Sequence, residues 1–456
     1  MTETNLINMK SELEDEERAF SSFGVFNIKH EYTEKEDTAV NSVEVNGRKF
    51  VFTEKLTFKD GVLKKRLIKR FAKLAVYKAI SETCGKSLPW GSLTGVRPTK
   101  LAYTLLSERG EFTDYFKNVL SVSEKKTDLT AAVIESQKGV YEENCDGSDF
   151  FVFIPFCPSR CAYCSFISHD LKFAYKYEDA YVDALVKEIE YSARYVKKLR
   201  SIYVGGGTPV AIKNENLEKI LSAIDGINCG AEFTVEAGRP DVIRKDNLDI
   251  LRAHGVTRIC INPQTFSDKT LKIIGRNHTA EDIFRAYDLA RNDFSVNMDI
   301  IAGLPEERFS DFENTLNTAL SLSPDDITVH TLCLKRGSAL MEKGSGAVVG
   351  ETRKMVDFAE ETLVNSGYFP YYLYRQKYMS DNLENVGYCK KDKRCVFNID
   401  TMEEICSTVA CGAFAVNKRV FNGGDRIERY GNPKDVKTYL NNFSQVSEKK
   451  DALFCE

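Results

Sequence analysis

Phe150-Phe-Val-Phe-Ile-Pro-Phe-Cys-Pro-Ser-Arg-Cys-Ala-Tyr-Cys164 joins a short apolar run of β-forming residues to a loop carrying three cysteines. Cys157, Cys161 and Cys164 stand at x3 and x2 spacing, a compact arrangement that no other cysteines of the chain share. A 4Fe–4S cluster takes four thiolates, so three would leave one iron open to an outside ligand. The alternative is zinc, but a structural zinc wants four ligands, and His169, the nearest candidate, is not spaced as a finger partner.

Five further β-rich runs follow, Ser201-Ile-Tyr-Val, Glu232-Phe-Thr-Val, Thr257-Arg-Ile-Cys-Ile, Ser295-Val-Asn-Met-Asp-Ile-Ile and Asp326-Ile-Thr-Val-His-Thr-Leu. Segments of helical length, such as Tyr177 to Val196 and Ala280 to Asn292, separate them. This rhythm predicts an α/β fold, a partial barrel of six β/α units, with ligands gathering where the strands end. The cysteine loop sits at such an end, as does Gly205-Gly-Gly-Thr-Pro209, whose glycines let a backbone approach a ligand and expose its amides.

The barrel is expected over residues 146–340, between an N-terminal α+β domain (1–145) and a small C-terminal domain (341–456). Asn46-Gly47, flanked by alternating Ser42-Val-Glu-Val and Arg48-Lys-Phe-Val-Phe-Thr, predicts a hairpin. Leu63, Leu67, Phe71, Leu74 and Tyr77 predict an amphipathic helix whose other face is basic, from Lys64 to Lys73. The last region holds a predicted helix from Glu351 to Ser366 and an aromatic stretch from Tyr368 to Tyr374.

At 456 residues the chain can bury more than one core, and its net charge of −4 leaves no basic excess for a nucleic-acid backbone. No apolar stretch reaches the length of a membrane span, and Met-Thr-Glu-Thr-Asn does not open a signal peptide, so a cytoplasmic protein is expected. Its 13 cysteines are then expected as thiols, most of the ten outside the loop being small buried residues.

The loop resembles that of the radical S-adenosylmethionine (SAM) enzymes, Cys-x3-Cys-x-aromatic-Cys, with Tyr163 in the aromatic place. The resemblance implies that Cys157, Cys161 and Cys164 hold a 4Fe–4S cluster whose open iron chelates the amino and carboxylate groups of SAM. It also implies that Tyr163 lies against the adenine and that Gly207 and Thr208 contact the methionine end. Glu236, Gln264, Arg276 and Asp299, in or just after successive runs, are implied as further SAM contacts. The residue types suit this, because carboxylates accept from ribose hydroxyls and an ammonium while arginine grips a carboxylate.

Ile154-Pro-Phe-Cys before the loop and Gly303-Leu-Pro after Asp299 resemble the oxygen-independent coproporphyrinogen III oxidase branch. Leu93-Thr-Gly-Val-Arg-Pro-Thr-Lys100, Tyr372-Leu-Tyr-Arg-Gln-Lys and Asn382-Leu-Glu-Asn-Val-Gly-Tyr388 look like the coproporphyrinogen dehydrogenases within it, a likeness covering roughly residues 90 to 440. The implied activity is an oxidoreductase step of heme biosynthesis, the oxidative decarboxylation of coproporphyrinogen III to protoporphyrinogen IX. A flavodoxin or ferredoxin would supply electrons. Arg97 and Lys100, cations beside a proline-fixed turn, would either clamp propionates or, in the case of Arg97, cap or bridge a domain interface. The chain departs from the oxidase pattern at Ser165-Phe166 and at Phe151 and Phe153, and a second SAM is not carried over. A heme-handling chaperone, or a radical enzyme on another porphyrin, is the second reading, although Phe397-Asn-Ile-Asp-Thr-Met402 replaces the chaperones' histidine motif.

Overall fold

The six runs become six parallel strands, β1 (Ser148–Ile154), β2 (Leu199–Gly206), β3 (Glu232–Gly238), β4 (Arg258–Gln264), β5 (Ser295–Ala302) and β6 (Asp326–Thr331). They lie side by side in sequence order. Each connection carries a helix: α1 (Leu171–Ser192), α2 (Asn214–Asp225), α3 (Lys245–Ala253), α4 (Ala280–Ala290) and α5 (Phe309–Leu322). The helices form where apolar residues recur on one stripe. On α2 Leu217, Ile220, Leu221 and Ile224 are buried, and on α4 Ile283, Ala286, Tyr287 and Ala290. Both sets follow the i, i+3, i+4, i+7 pattern of a face turned to the sheet, each large apolar side chain contributing about 1.5–3 kcal/mol. A reciprocal cap starts α4: Thr279 Oγ1 accepts from Asp282 N, and Asp282 accepts from Thr279 N.

This computed structural model describes residues 2–56, 61–94, 97–164, 169–334, 338–342, 351–377, 379–421, 424 and 426–455, without the side chains of 62, 63, 169, 170 and 172–174. Ser165, Phe166, Gly95 and Val96 lie outside the described residues, as does the side chain of Leu63. The chain divides into two compact units, Met1–Ala131 with Tyr374–Glu384, and Ala132–Leu373 with Asn385–Glu456.

In the second unit the helix α6 (Glu351–Asn365) leads to β7 (Phe369–Tyr374) and β8 (Asn385–Cys389), and α7 (Val396–Glu403) leads to β9 (Ser407–Cys411), β10 (Val416–Phe421) and β11 (Arg426–Gly431). The full sheet runs β7-β8-β6-β5-β4-β3-β2-β1-β9-β10-β11. Strand β8 is antiparallel to β6, and β9 is parallel to β1. The six β/α units are therefore a partial barrel whose sheet continues on both sides. At the N-terminal end of the strands Glu232 accepts from the Val396 amide at 2.8 Å, and Phe397 stacks on Tyr203 at 4.3 Å. These contacts set α7 beneath the sheet interior.

The first unit contains a meander of Ile28–Lys35, Thr38–Val45 and Arg48–Lys55, with Thr2–Thr4 parallel to its first strand. The expected hairpin turn is present, and Asn46 and Gly47 both have positive φ, 49° and 87°, as a tight two-residue turn demands. The helices Lys10–Ala19 and Gly61–Cys84 cover one face, burying Leu13, Val43, Val45, Ala72, Val76 and Ile80 together. Phe71, Leu74 and Tyr77 are buried as the periodicity predicts. The basic face is not a free cationic surface: Lys64 pairs with Glu34 at 2.6 Å, Lys73 with Glu16 at 3.2 Å, and Lys69 with Glu12. Residues 374–384 join this unit because Glu384 accepts from Trp90 Nε1 at 2.7 Å and pairs with buried Lys126 at 2.6 Å.

No disulfide forms among the described residues, but the expectation that most of the ten other cysteines are buried is only half met. Cys260, Cys389, Cys395, Cys406 and Cys411 are buried, Cys84, Cys145 and Cys333 half-buried, and Cys229 and Cys455 exposed. No helix among the described residues is long and apolar enough to cross a membrane.

Candidate active site

Past β1, the chain enters a two-residue strand, Phe156–Cys157, paired in parallel with His169–Asp170. The cysteine loop that follows is anchored through its backbone. The Ala162 amide donates to Ile274 O at 2.9 Å, and the Ala162 carbonyl accepts from Leu340 N at 3.1 Å. A turn closes it, with Cys164 N donating to Cys161 O at 3.1 Å. Ala162 and Tyr163 pack on the apolar group of Leu271, Ile274, Ile301, Leu304, Leu332 and Leu340. All three cysteines remain half-buried, so the loop is rigidly backed yet open on one side.

The glycine run acts on this loop. Gly207 N donates to Ile154 O and Thr208 N to Phe156 O, each at 2.7 Å. These two amides, expected to face a ligand, are instead spent on the root of the cysteine loop. The approach requires glycine, since a Cβ on Gly207 would lie 2.3 Å from the Phe156 carbonyl oxygen. Side chains then face the sulfurs. Thr208 Oγ1 donates to Cys157 Sγ at 3.6 Å, and Arg239 donates to Ser159 Oγ at 2.9 Å and to Cys161 Sγ at 4.0 Å. Asp241 holds Arg239 through two bonds, at 2.9 and 2.8 Å.

Arg276, between β4 and α4, is buried, and its charge acts on the Tyr163 hydroxyl and the Cys161 thiol. It also donates to the Asn262 carbonyl, while its Nε has no hydrogen-bond partner among the described residues. Next to it His278 is pushed down to about 4, by burial first and then by the Arg276 charge, so it stays neutral. Gln264 ends β4 in a left-handed conformation (φ 69°), and its Oε1 is buried without a hydrogen-bond partner among the described residues.

Side chains alternate along a strand, so every second residue of β1 to β6 faces the interior. One side of that interior is aromatic: Phe151 lies 6.2 Å from Phe153, 6.1 Å from Tyr203 and 5.7 Å from Phe397, and Phe153 lies 5.8 Å from Phe414. The opposite side is ionisable. Glu236 accepts from the Tyr203 hydroxyl at 2.6 Å, and burial, with the Asp299 charge adding to it, pushes Glu236 up to about 7. Burial alone would raise Asp299, but the His330 ring and the bond from Asn297 outweigh this and hold it below the usual carboxylate range.

The residues expected at the site thus fall into three groupings. Cys157, Cys161 and Cys164 share the loop with Tyr163 and Arg276; Gly207 and Thr208 brace it; Glu236 and Asp299 share one wall, with Gln264 ending the strand between them. Tyr203, Asn297 and His330 were missed, although their inward parity with Gly205, Asp299 and Thr328 was readable from the strand period. Arg239 carried no such signal, because it lies just past the end of β3.

The family model described as the Radical SAM superfamily matches residues 151–319. The oxygen-independent coproporphyrinogen-III oxidase-like protein HemZ of Bacillus subtilis (strain 168) is 33% identical over 418 residues, covering 87% of this chain and 82% of that protein. The heme chaperone HemW of the same organism is 33% identical over 205 residues, 42% of this chain, and the match spans about half (53%) of that relative. Among solved structures, the coproporphyrinogen III oxidase HemN of Escherichia coli aligns with a TM-score of 0.54 at 22% identity, covering 72% of this chain and 74% of that one, which shows a shared fold. The radical SAM family uses a 4Fe–4S cluster and SAM. The residues present fit both: three thiols share one open loop, two of them already face hydrogen-bond donors, and Gln264 Oε1 and Arg276 Nε are buried polar atoms in want of a partner. On its similarity to HemZ over most of both chains, this chain belongs to the radical SAM superfamily, in the family of HemN, HemZ and HemW.

Proposed function

We propose that this chain is a radical SAM oxidoreductase that decarboxylates coproporphyrinogen III to protoporphyrinogen IX without oxygen. Cys157, Cys161 and Cys164 would hold the cluster, and Tyr163, Gly207, Thr208, Glu236, Gln264, Arg276 and Asp299 the SAM. The observation that carries the reading is that the thiol loop follows the C-terminal end of β1 while Glu236 and Asp299 lie in the C-terminal halves of β3 and β5, in a chain similar to HemZ over 87% of its length. When bound, the cluster and SAM, with a flavodoxin or ferredoxin as electron donor, would supply hydrogen-atom abstraction at a propionate β-carbon, the hydrogen passing to the adenosyl group, the carboxyl leaving as carbon dioxide and the remaining electron passing to an external one-electron acceptor, so that a vinyl group is left.

The chain's own part is positioning and exclusion of water. Thr208 and Arg239 donate to the Cys157 and Cys161 sulfurs, a polarity that favours electron-rich sulfur there. Asp299 presents a carboxylate anion, and Glu236 a carboxyl held by Tyr203. The Phe151–Phe153–Phe414 side offers an apolar face suited to a flat macrocycle.

A heme-handling role is the second reading, favoured by the similarity to HemW over 42% of the chain. Against it, Phe397, in the stretch comparable to the chaperones' histidine motif, is packed on Tyr203. The separating experiment incubates anaerobically reconstituted protein with SAM, reductant and coproporphyrinogen III and weighs the tetrapyrrole product. A divinyl product is expected; unchanged coproporphyrinogen beside stoichiometric heme binding would overturn the oxidase reading.

A further inference from the structure

Asp299 is held from two sides by different kinds of group. On one side runs a fixed relay: the Tyr372 hydroxyl lies 3.1 Å from Thr328 Oγ1, which donates to Asn297 Oδ1 at 3.2 Å. Because Asn297 accepts there through its oxygen, its Nδ2 must be the atom that donates to Asp299 Oδ1, at 2.9 Å. On the other side Asp299 Oδ2 faces His330 Nε2 at 3.5 Å. The strand register explains the meeting, since Asp299 pairs with Thr328 and Ile301 with His330, leaving His330 diagonal to Asp299 on the same face. The His330 and Asp299 side chains are 26% and 19% exposed, so both still reach the interior.

The two carboxyls of this wall differ in their partners. Glu236 has the Tyr203 hydroxyl; Asp299 has the amide of Asn297 and a ring that can carry charge. The other titratable groups near this pair are Cys260 on β4 and Asp326 at the far end of β6, and the cation there, Arg258, pairs with Asp326 at 3.5 Å and Glu232 at 3.8 Å. Among the described residues His330 acts electrostatically on both carboxyls, but it is Asp299 that it meets at ion-pair distance.

We propose that His330 is a positioning residue: by donating from Nε2 to Asp299 it orients that carboxylate, ready to accept from the hydroxyl or cationic groups of SAM. This rests on reading the strand ends as the SAM site. His330 acts through Asp299 and has no assigned contact with SAM itself.

The test is the SAM affinity of the cluster-loaded protein, by calorimetry, for the wild type, H330A, H330Q, D299N and the D299N/H330A double variant, with iron content and thermal unfolding measured alongside. Losing a hydrogen bond to a charged group should weaken binding about tenfold in H330A. H330Q, whose amide nitrogen can replace Nε2, should recover most of it, and the double variant should bind no more weakly than D299N. H330A binding within about twofold of wild type, or H330Q as weak as H330A at full iron content, would overturn the proposal. If H330A does not fold, H330Q decides alone: SAM binding within about threefold of wild type supports the proposal, and binding about tenfold weaker at full iron content overturns it. A wild-type protein that binds no SAM would defeat the site reading as a whole, whereas wild-type binding untouched by H330A would defeat only the role of His330.

Discussion

Replacing Gly207 with alanine isolates the brace between the glycine run and the cysteine loop. The added Cβ would lie 2.3 Å from the Phe156 carbonyl oxygen, 2.8 Å from its carbon and 2.9 Å from the Ile154 carbonyl oxygen. All three are backbone atoms, so no side chain can swing aside, and β2 must separate from the root of the loop. Separation costs the bonds from Gly207 N to Ile154 O and from Thr208 N to Phe156 O, both 2.7 Å, and takes Thr208 Oγ1 away from Cys157 Sγ. Two backbone bonds are worth about 2 kcal/mol together, which in a unit of this size lowers Tm by about 3 °C. The assay is iron and sulfide content after anaerobic reconstitution, beside thermal unfolding of the same preparation. G207A should fold, melt lower and hold less iron than wild type. Wild-type iron content and an unshifted Tm would refute the brace.

Glu236, raised from 4.5 to about 7, favours folding while neutral: its contribution is complete below pH 4.5 and is lost as pH rises through 7. E236Q, measured without SAM, should therefore match wild type near pH 4.5 and exceed it by on the order of 2 kcal/mol at pH 8 in urea unfolding; equal stability at both pH values would refute the shift. Lys450 is fully buried, 2.8 Å from Glu188 and 2.7 Å from Ser192 Oγ, and ties the helix Phe443–Phe454 to α1. K450M leaves Glu188 buried without its cation and should cost about 3 kcal/mol, partly restored by adding E188Q; an unchanged unfolding midpoint for K450M would show that the pair contributes nothing.

Much of the second unit was legible because strand and helix periods differ. The run beginning at Phe150 matched β1 to within two residues at its start, and the glycine run ended β2 as the barrel rhythm required. The C-terminal strands were less legible. Nothing in the local sequence of Ser407–Cys411 indicates that it pairs with β1, more than 250 residues earlier, because strand pairing at that distance is decided by the closing of the whole sheet. The cysteine loop was readable from spacing, whereas the destination of the Gly207 and Thr208 amides was not, since a glycine-rich turn can serve a ligand or its own neighbours equally. The Lys64 to Lys73 face read only as a basic face because its partners, Glu12, Glu16 and Glu34, lie on other elements. His330 stood in a quoted run and was passed over, its neighbour Asp299 being visible only once β5 and β6 are in register.

The central claim is that a propionate side chain of a tetrapyrrole loses hydrogen to the adenosyl group of SAM on this chain. It is tested most directly with coproporphyrinogen III deuterated at the propionate β-carbons, turned over anaerobically by the reconstituted protein, reading the isotope content of the 5′-deoxyadenosine formed. Deuterium in 5′-deoxyadenosine together with a vinyl-bearing product is the expected result. Unlabelled 5′-deoxyadenosine beside intact substrate would contradict it.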